Sequence, residues 1–279
     1  MMQNIELDNL LRRALAEDIG MGDITSESCI PADTRAEARI VAKEPGVICG
    51  IDLVARTFKL LDENVCVKPH VVDGDRVETG AVLVQLTGCA RSILTGERTV
   101  LNLLAHLSGI ATKTADAVMQ IADTRAKICD TRKTTPGLRA LEKYAVRTGG
   151  AVNHRFGLFD GVLIKDNHIA NAGGIENAVR AARARVPHTL NIEVETENLA
   201  QVREALDAGA DIIMLDNMDV PTMREAVALI GGRAITEASG NMGVRPLREV
   251  AETGVDFISI GALTHSVRAM DISMKINER

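Results

Sequence analysis

NIEVETENLAQVREALDAGADIIMLDN, residues 191–217, passes from a short apolar run to an amphipathic stretch and back to a second apolar run. The two runs end on acids, Glu195 and Asp216, which stand 21 residues apart, and the same interval leads on to Glu237. Ser259 follows 22 residues later. A strand, its crossover helix and the return to a neighbouring parallel strand take about that length. Side chains at this interval therefore come back to one end of a parallel sheet, the end where barrel enzymes place their chemistry.

Working outward, AKICDT, GVLIKD, RAITEASG and DFISIGA join NIEVET and DIIMLDN as strand-like runs, with amphipathic stretches such as PTMREAVALIGG and PLREVAETG between them. This βα alternation predicts an α/β barrel of about six or seven strands. An open doubly wound sheet is the alternative, but no GxGxxG follows a strand to support dinucleotide binding.

The N-terminal part follows a different pattern. Residues 5–17 bring Ile5, Leu10, Leu11, Ala14 and Leu15 near a helical period, and the glycines of EDIGMGDIT end that helix. From about 35 to 90 the runs AEARIVAKE, GVICGI, NVCVKPHVV and AVLVQLTG are β-type, separated by Gly, Pro and Asp. VVDGDRVETGAVLVQLTG (71–88) resembles the hairpin of lipoyl and biotinyl carrier domains. Those carriers need a lysine at the hairpin tip, and none lies between Lys68 and Lys113, so the likeness is one of structure. GERTVLNLLAHLSGIATKTADAVMQIA (96–122) reads as a long helix or helix pair, with Ser108 and Gly109 a candidate break or kink.

The chain has 279 residues, 46% hydrophobic and 25% charged, which suits an ordinary globular protein of one large or two unequal domains. A net charge of -6 argues against broad nucleic-acid or anionic-membrane binding, and scarce aromatics argue against base-stacking surfaces. No secretory signal or membrane-spanning run is visible, and the five dispersed cysteines form no CxxC pair, so reduced thiols and a cytoplasmic location are expected.

The strand ends carry Arg132 and Lys133, then Lys165, Glu195, Asp216, Glu237 with Ser239, and Gly261. Residues 128–169 hold seven Lys/Arg against four Asp/Glu, plus His154 and His168, in a chain that is negative overall. Any one of these cations alone is a solvated loop charge. Their recurrence at several strand ends predicts an anion site, with Arg132 offering a planar fork and Lys133 and Lys165 compact charges. Glu195 and Asp216 are candidates for holding Mg²⁺, for acid/base work or for binding sugar hydroxyls, or else they only balance the cations. SGN (239–241) and SIGAL (259–263) put small residues at the last two strand ends, where late barrel loops cradle phosphates.

The segments EDIGMGDIT, TGERTVLNLL, LSGIATKT, DTRKTTPGLR, KYAV, GGAVNHRFGL, LIKDNHI, EVET, AGADIIMLDN, EASGN and GVDFISIGAL span nearly the whole chain. Together they closely resemble the quinolinate phosphoribosyltransferases, also called carboxylating nicotinate-nucleotide pyrophosphorylases. The resemblance implies an N-terminal α/β sandwich-like domain at 1–108, joined by the C-terminal tail 268–279, and an incomplete α/β barrel at 109–267. It implies that the 5-phosphoribosyl group of phosphoribosyl pyrophosphate is transferred to quinolinate with loss of CO₂, in the biosynthesis of NAD, with Mg²⁺ as cofactor. The catalytic residues it implies are Lys133, Lys165, Glu195 and Asp216. Thr131, Arg132, Lys133, His154, Arg155 and Lys165 would hold the quinolinate carboxylates and neighbouring phosphates, and Ser239, Gly240, Asn241, Ile260, Gly261 and Ala262 the 5-phosphate. Glu195 and Asp216 would serve the ribose and Mg²⁺, directly or through water or substrate. A homodimer, or a higher oligomer built from it, is implied, with Arg98 contributed to the neighbouring site.

Two other readings make different demands. A nicotinate phosphoribosyltransferase relative, or an aldolase using Lys165 as a Schiff base, would share the barrel; the aldolase needs a lysine in a dry site, which the adjoining Asp166 does not suggest. A metabolite-binding protein without catalysis would bind the same ligands and leave them unchanged.

Overall fold

The computed structural model describes residues 4–276; residues 277–279 of the expected tail and the side chain of Ile5 lie outside the described part. In chain order the elements begin with α1 (Asn4–Ile19), α2 (Ile24–Cys29), β1 (Arg35–Ala42), β2 (Gly46–Val47), α3 (Ile51–Leu61), β3 (Cys66–Pro69), β4 (Arg76–Val77), β5 (Val82–Cys89) and α4 (Ala90–Gln120). They continue with β6 (Lys127–Cys129), α5 (Arg139–Thr148), β7 (Val162–Ile164), α6 (Asp166–Ala172), α7 (Ile175–Arg183), β8 (Ile192–Thr196), α8 (Leu199–Asp207) and β9 (Ile212–Asp216). The last are α9 (Val220–Ile230), β10 (Ile235–Ser239), α10 (Leu247–Ala251), β11 (Phe257–Ser259), α11 (Ala262–His265) and β12 (Ile272–Ile276). The chain divides into two compact units, one of residues 1–115, 135–150 and 267–279, the other of 116–134 and 151–266.

The first unit is built on an antiparallel sheet of order β12-β1-β5-β3, with β2 and β4 paired beside it. Alternation along β1 turns Ala38, Ile40 and Ala42 inward, against Leu83 and Leu86 of β5, Phe58 of α3 and Leu104 of α4. The end of the chain returns to this sheet, since β12 pairs with β1 from Ala38↔Ile276 to Ala42↔Ile272. The GD turn departs from a simple hairpin. Asp73 Oδ1 accepts the Gly50 and Ile51 N–H groups and so caps α3, while Asp75 Oδ2 accepts the Val72 N–H. With its turn spent on α3, the chain after it yields only the short β4, which pairs with β2, while β5 pairs with β3 and β1.

The expected break at Ser108 and Gly109 is absent, because α4 runs unbroken for 31 residues. Both residues are there for contact. Ser108 Oγ accepts the Cys49 N–H, and a Cβ on Gly109 would lie 2.2 Å from the Arg268 carbonyl oxygen. The glycine thus lets the returning chain cross the helix closely.

The second unit is a parallel sheet of six strands in the order β6-β11-β10-β9-β8-β7, all six at the expected runs, with helices between successive strands. The first and last places are taken by β6 and β7, so the barrel is incomplete. A parallel bridge from Val152 to Cys129 extends the β6 edge. Outward-facing Val194, Ile213 and Ala238 are buried, as a parallel sheet covered by helices requires. All five cysteines are free thiols, and among the described residues no helix is long and apolar enough to cross a membrane.

Candidate active site

The C-terminal ends of the parallel strands carry the residues that the sequence singled out. Lys165 directly follows β7 and its Nζ lies 2.5 Å from Glu195 Oε2 on β8. Asp216 closes β9, where its Oδ2 accepts the Asn217 side-chain N–H at 2.6 Å. Register places Asp216 opposite Ser239 of β10. Glu195 and Asp216 on neighbouring strands form a donor set suited to a hard, oxygen-seeking cation, and two protein ligands are the number Mg²⁺ commonly takes beside water and substrate phosphates.

The loop after β6 holds the other cations. Thr131 Oγ1 accepts the Lys133 N–H, and the Lys133 carbonyl accepts the Thr264 hydroxyl at 2.8 Å. A Cβ on Gly261 would come within 3.0 Å of Lys133 Cδ, and one on Gly243 within 2.6 Å of Ala262. These close approaches bring the 131–133 loop, the 239–243 loop and Ile260–Ala262 together. Gly240 has φ 96°, and a Cβ there would lie 2.3 Å from Asn217 Oδ1. The small residues therefore serve loop-to-loop packing that leaves backbone exposed, as a phosphate cradle requires.

Arg155 is half-buried, and its guanidinium is held below its ordinary pKa, first by burial and then by the charge of Arg132 close by. Its Nη1 donates to the Gly161 carbonyl at 2.8 Å. Two guanidiniums brought together in a partly desolvated site favour an anion between them.

His154 stands behind this pair. Asp130, fully buried at the end of β6, accepts the His154 N–H at 2.9 Å and the Asn153 side-chain N–H at 2.6 Å, which fixes the loop. Nδ1 of His154 accepts the Arg155 N–H at 2.7 Å, and Nε2 lies 3.1 Å from Glu193 Oε2 and 3.6 Å from Glu237 Oε1. An Nδ1 that accepts an N–H leaves the ring proton on Nε2, and both nitrogens are then occupied.

Glu193 and Glu237 are the residues that sequence reasoning placed poorly. Glu237 was read as a strand-end acid and Glu193 was not singled out; both are buried inside the barrel. Side chains alternate along a strand, so Glu193 shares the inward face of β8 with Glu195, and Glu237 that of β10 with Ser239, each one step deeper. The signal lay in the alternation of EVE and EAS. Burial, and then the nearby Glu193, push Glu237 up to about 7. Arg98, by contrast, is exposed on α4 in the first unit.

Residues 23–108 match the family model described as quinolinate phosphoribosyl transferase, N-terminal domain, and residues 110–275 that of the C-terminal domain. A probable carboxylating nicotinate-nucleotide pyrophosphorylase of Bacillus subtilis (strain 168) is 51% identical over 275 residues, covering 99% of this chain and 95% of the relative. A tobacco (Nicotiana tabacum) decarboxylating quinolinate phosphoribosyltransferase is 44% identical over 291 residues, covering 98% of this chain and 82% of its own length. The solved nicotinate-nucleotide pyrophosphorylase of Francisella tularensis superposes with a TM-score of 0.94 at 42% identity, covering 99% of this chain and 98% of its own. With both domains matched in order and the cationic strand ends in place, the chain belongs to the quinolinate phosphoribosyltransferase family.

Proposed function

We propose that the protein transfers the 5-phosphoribosyl group of phosphoribosyl pyrophosphate to quinolinate and releases CO₂ and pyrophosphate, leaving nicotinate mononucleotide for NAD biosynthesis. The observation that carries this reading is the half-buried Arg132–Arg155 pair beside the Lys165–Glu195 ion pair. A rigid dicarboxylate supplies the two negative charges that such a cation cluster needs.

In this reading Arg132, Arg155 and Lys165 take the quinolinate carboxylates, and His154 orients Arg155 through its backbone. Lys133, with Thr131, faces the phosphates. The backbone at Ser239–Asn241 and Ile260–Ala262 receives the 5-phosphate. Glu195 and Asp216 hold the ribose hydroxyls and, directly or through water, Mg²⁺. The metal supplies charge neutralisation at the pyrophosphate leaving group. As the ribose C1 bond to pyrophosphate breaks, positive charge grows on the sugar, and the two carboxylates stabilise it. The pyridine nitrogen attacks without a general base. Once the nitrogen is cationic, it accepts the electron pair released when the adjacent carboxylate departs as CO₂, so the site's work is orientation and exclusion of water.

A homodimer in which Arg98 of one protomer completes the other's site, and a cytoplasmic location, belong to the same proposal. The test is to incubate the protein with quinolinate, phosphoribosyl pyrophosphate and Mg²⁺ and follow nicotinate mononucleotide and CO₂ together. Product that depends on all three is expected; turnover of nicotinate in place of quinolinate would overturn the substrate assignment.

A further inference from the structure

Loss of CO₂ leaves a task that the strand-end residues do not account for. The bond from C2 to its carboxylate breaks and leaves its electron pair on C2, so the ring must gain a proton before the product is complete. The donor has to carry a proton near neutral pH, sit where bulk water is excluded, and be reloaded after each turnover.

Glu237 meets all three conditions. It is 4% exposed and lies on the inward face of β10, two residues deeper than Ser239. Its Oε1 has no hydrogen-bond partner among the described residues, and neither has Oε1 of Glu193. The groups facing it are Glu193 from β8, His154 from the 150–161 loop, the Cys129 thiol from β6 at 3.9 Å, Ser259 from β11 and Lys165 beyond β7. The imidazole gives its Nε2–H to Glu193 and stands 3.6 Å from Glu237 Oε1, too far to satisfy it. Burial, and then the neighbouring Glu193, hold Glu237 up at about 7, so it carries a proton close to neutral pH.

A cavity of about 280 Å³ reaches this group from the opposite end of the barrel. Its wall includes His154, Glu193, Glu237, Arg155 of the anion site and the N-terminal ends of β7, β8, β9 and β11, and the exposed Asp160, Thr189 and Asn191 set its mouth at the surface. Solvent thus has a route to the carboxyls by the N-terminal ends of these strands.

We propose that Glu237 is the acid that returns a proton to C2 of the pyridinium ring after CO₂ has left, and that it is reloaded through this rear cavity. The Glu237 O–H bond breaks, its electron pair stays on the carboxylate, the proton joins C2, and a solvent proton entering by the cavity restores the acid. The assignment rests on the activity proposed above.

The experiment is a single-turnover measurement of nicotinate mononucleotide formation, with enzyme in excess of quinolinate, for the wild type and Glu237→Gln, in H₂O and D₂O across pH. The wild type should slow in D₂O and lose rate as pH rises through about 7, because the protonated form is the active one. Glu237→Gln should bind both substrates as the wild type does, form product about a hundredfold more slowly, and show no loss of rate near neutrality. A Glu237→Gln enzyme with the wild-type rate, or a slow one that keeps the wild-type pH profile, overturns the assignment. Glu193→Gln is the second variant and decides the matter if Glu237→Gln fails to fold: removing the neighbouring charge should move the pH limb to lower pH, and an unmoved limb counts against Glu237. A wild type inactive with quinolinate overturns the activity itself; an active wild type matched by Glu237→Gln overturns only the proton donor.

Discussion

At Arg132 and Arg155 the fold holds two cations together where water is already partly excluded, and a bound anion offsets part of this cost. Truncating Arg132 removes a charged hydrogen-bonding group worth about 1.5–3 kcal/mol. Arg132→Ala should therefore raise the KM for quinolinate roughly ten- to a hundredfold, with the melting temperature little changed; unchanged affinity in steady-state kinetics would remove Arg132 from the site. Glu237 makes a different prediction. Its folded pKa, about 7, lies above the ordinary carboxyl value of 4.5, so the folded state holds a proton that the unfolded chain releases between those values. Stability must fall as pH rises through that window. Relative to Glu237→Gln, the wild type should lose stability between pH 5 and pH 8 in urea unfolding. Glu195 and Asp216 were placed from sequence by the repeat of 21 residues, which returns them to one sheet end, and Lys165 by its position directly after the apolar run GVLI. Glu193 was not, because sequence gives the face of a strand side chain but not its depth in a barrel.

The elements were legible wherever burial imposes a period. All six barrel strands follow from apolar runs that two covered faces demand. What escaped were features set by contacts distant in sequence. Gly109 reads as a helix breaker, yet α4 passes straight through it, and the residue is small because the Arg268 carbonyl crosses there. A methyl group placed 2.2 Å from that oxygen forces the returning chain off the helix. Gly109→Ala should cost about 1–3 kcal/mol despite alanine's better helix propensity; equal or greater stability in denaturant unfolding would refute the close crossing. Asp73 is a similar case. The GD turn looked like a hairpin tip, but its carboxylate caps α3 and also accepts the hydroxyl of Tyr144 from α5 at 2.7 Å. Tyr144→Phe should cost about 1 kcal/mol, seen as a lower midpoint in the same experiment.

For the whole molecule, the proposal to test is that Arg98 serves a site built on strand ends of the other subunit. It is exposed on α4 of the first unit, while Arg132, Arg155, Lys165, Glu195 and Asp216 all belong to the second. Nothing in the local pattern of TGERTVLNLL marks Arg98 as more than a surface charge, and a residue lent to another subunit would have no reason to stand near its own site in sequence. A two-fold dimer repeats each contact twice, so a residue lent across the interface leaves both sites dependent on the partner. Arg98→Ala and Lys165→Ala should then each be inactive as pure dimers. In a hybrid, the site with intact Lys165 receives an intact Arg98 from the other subunit, while the second site lacks both. Equal mixing makes about half the dimers hybrid with one good site each, so activity should return to roughly a quarter of the wild-type value. Subunit exchange, followed by native mass spectrometry of a tagged partner, provides the control. Exchange with no recovered activity would place Arg98 and Lys165 in the same site of one chain, or Arg98 in none.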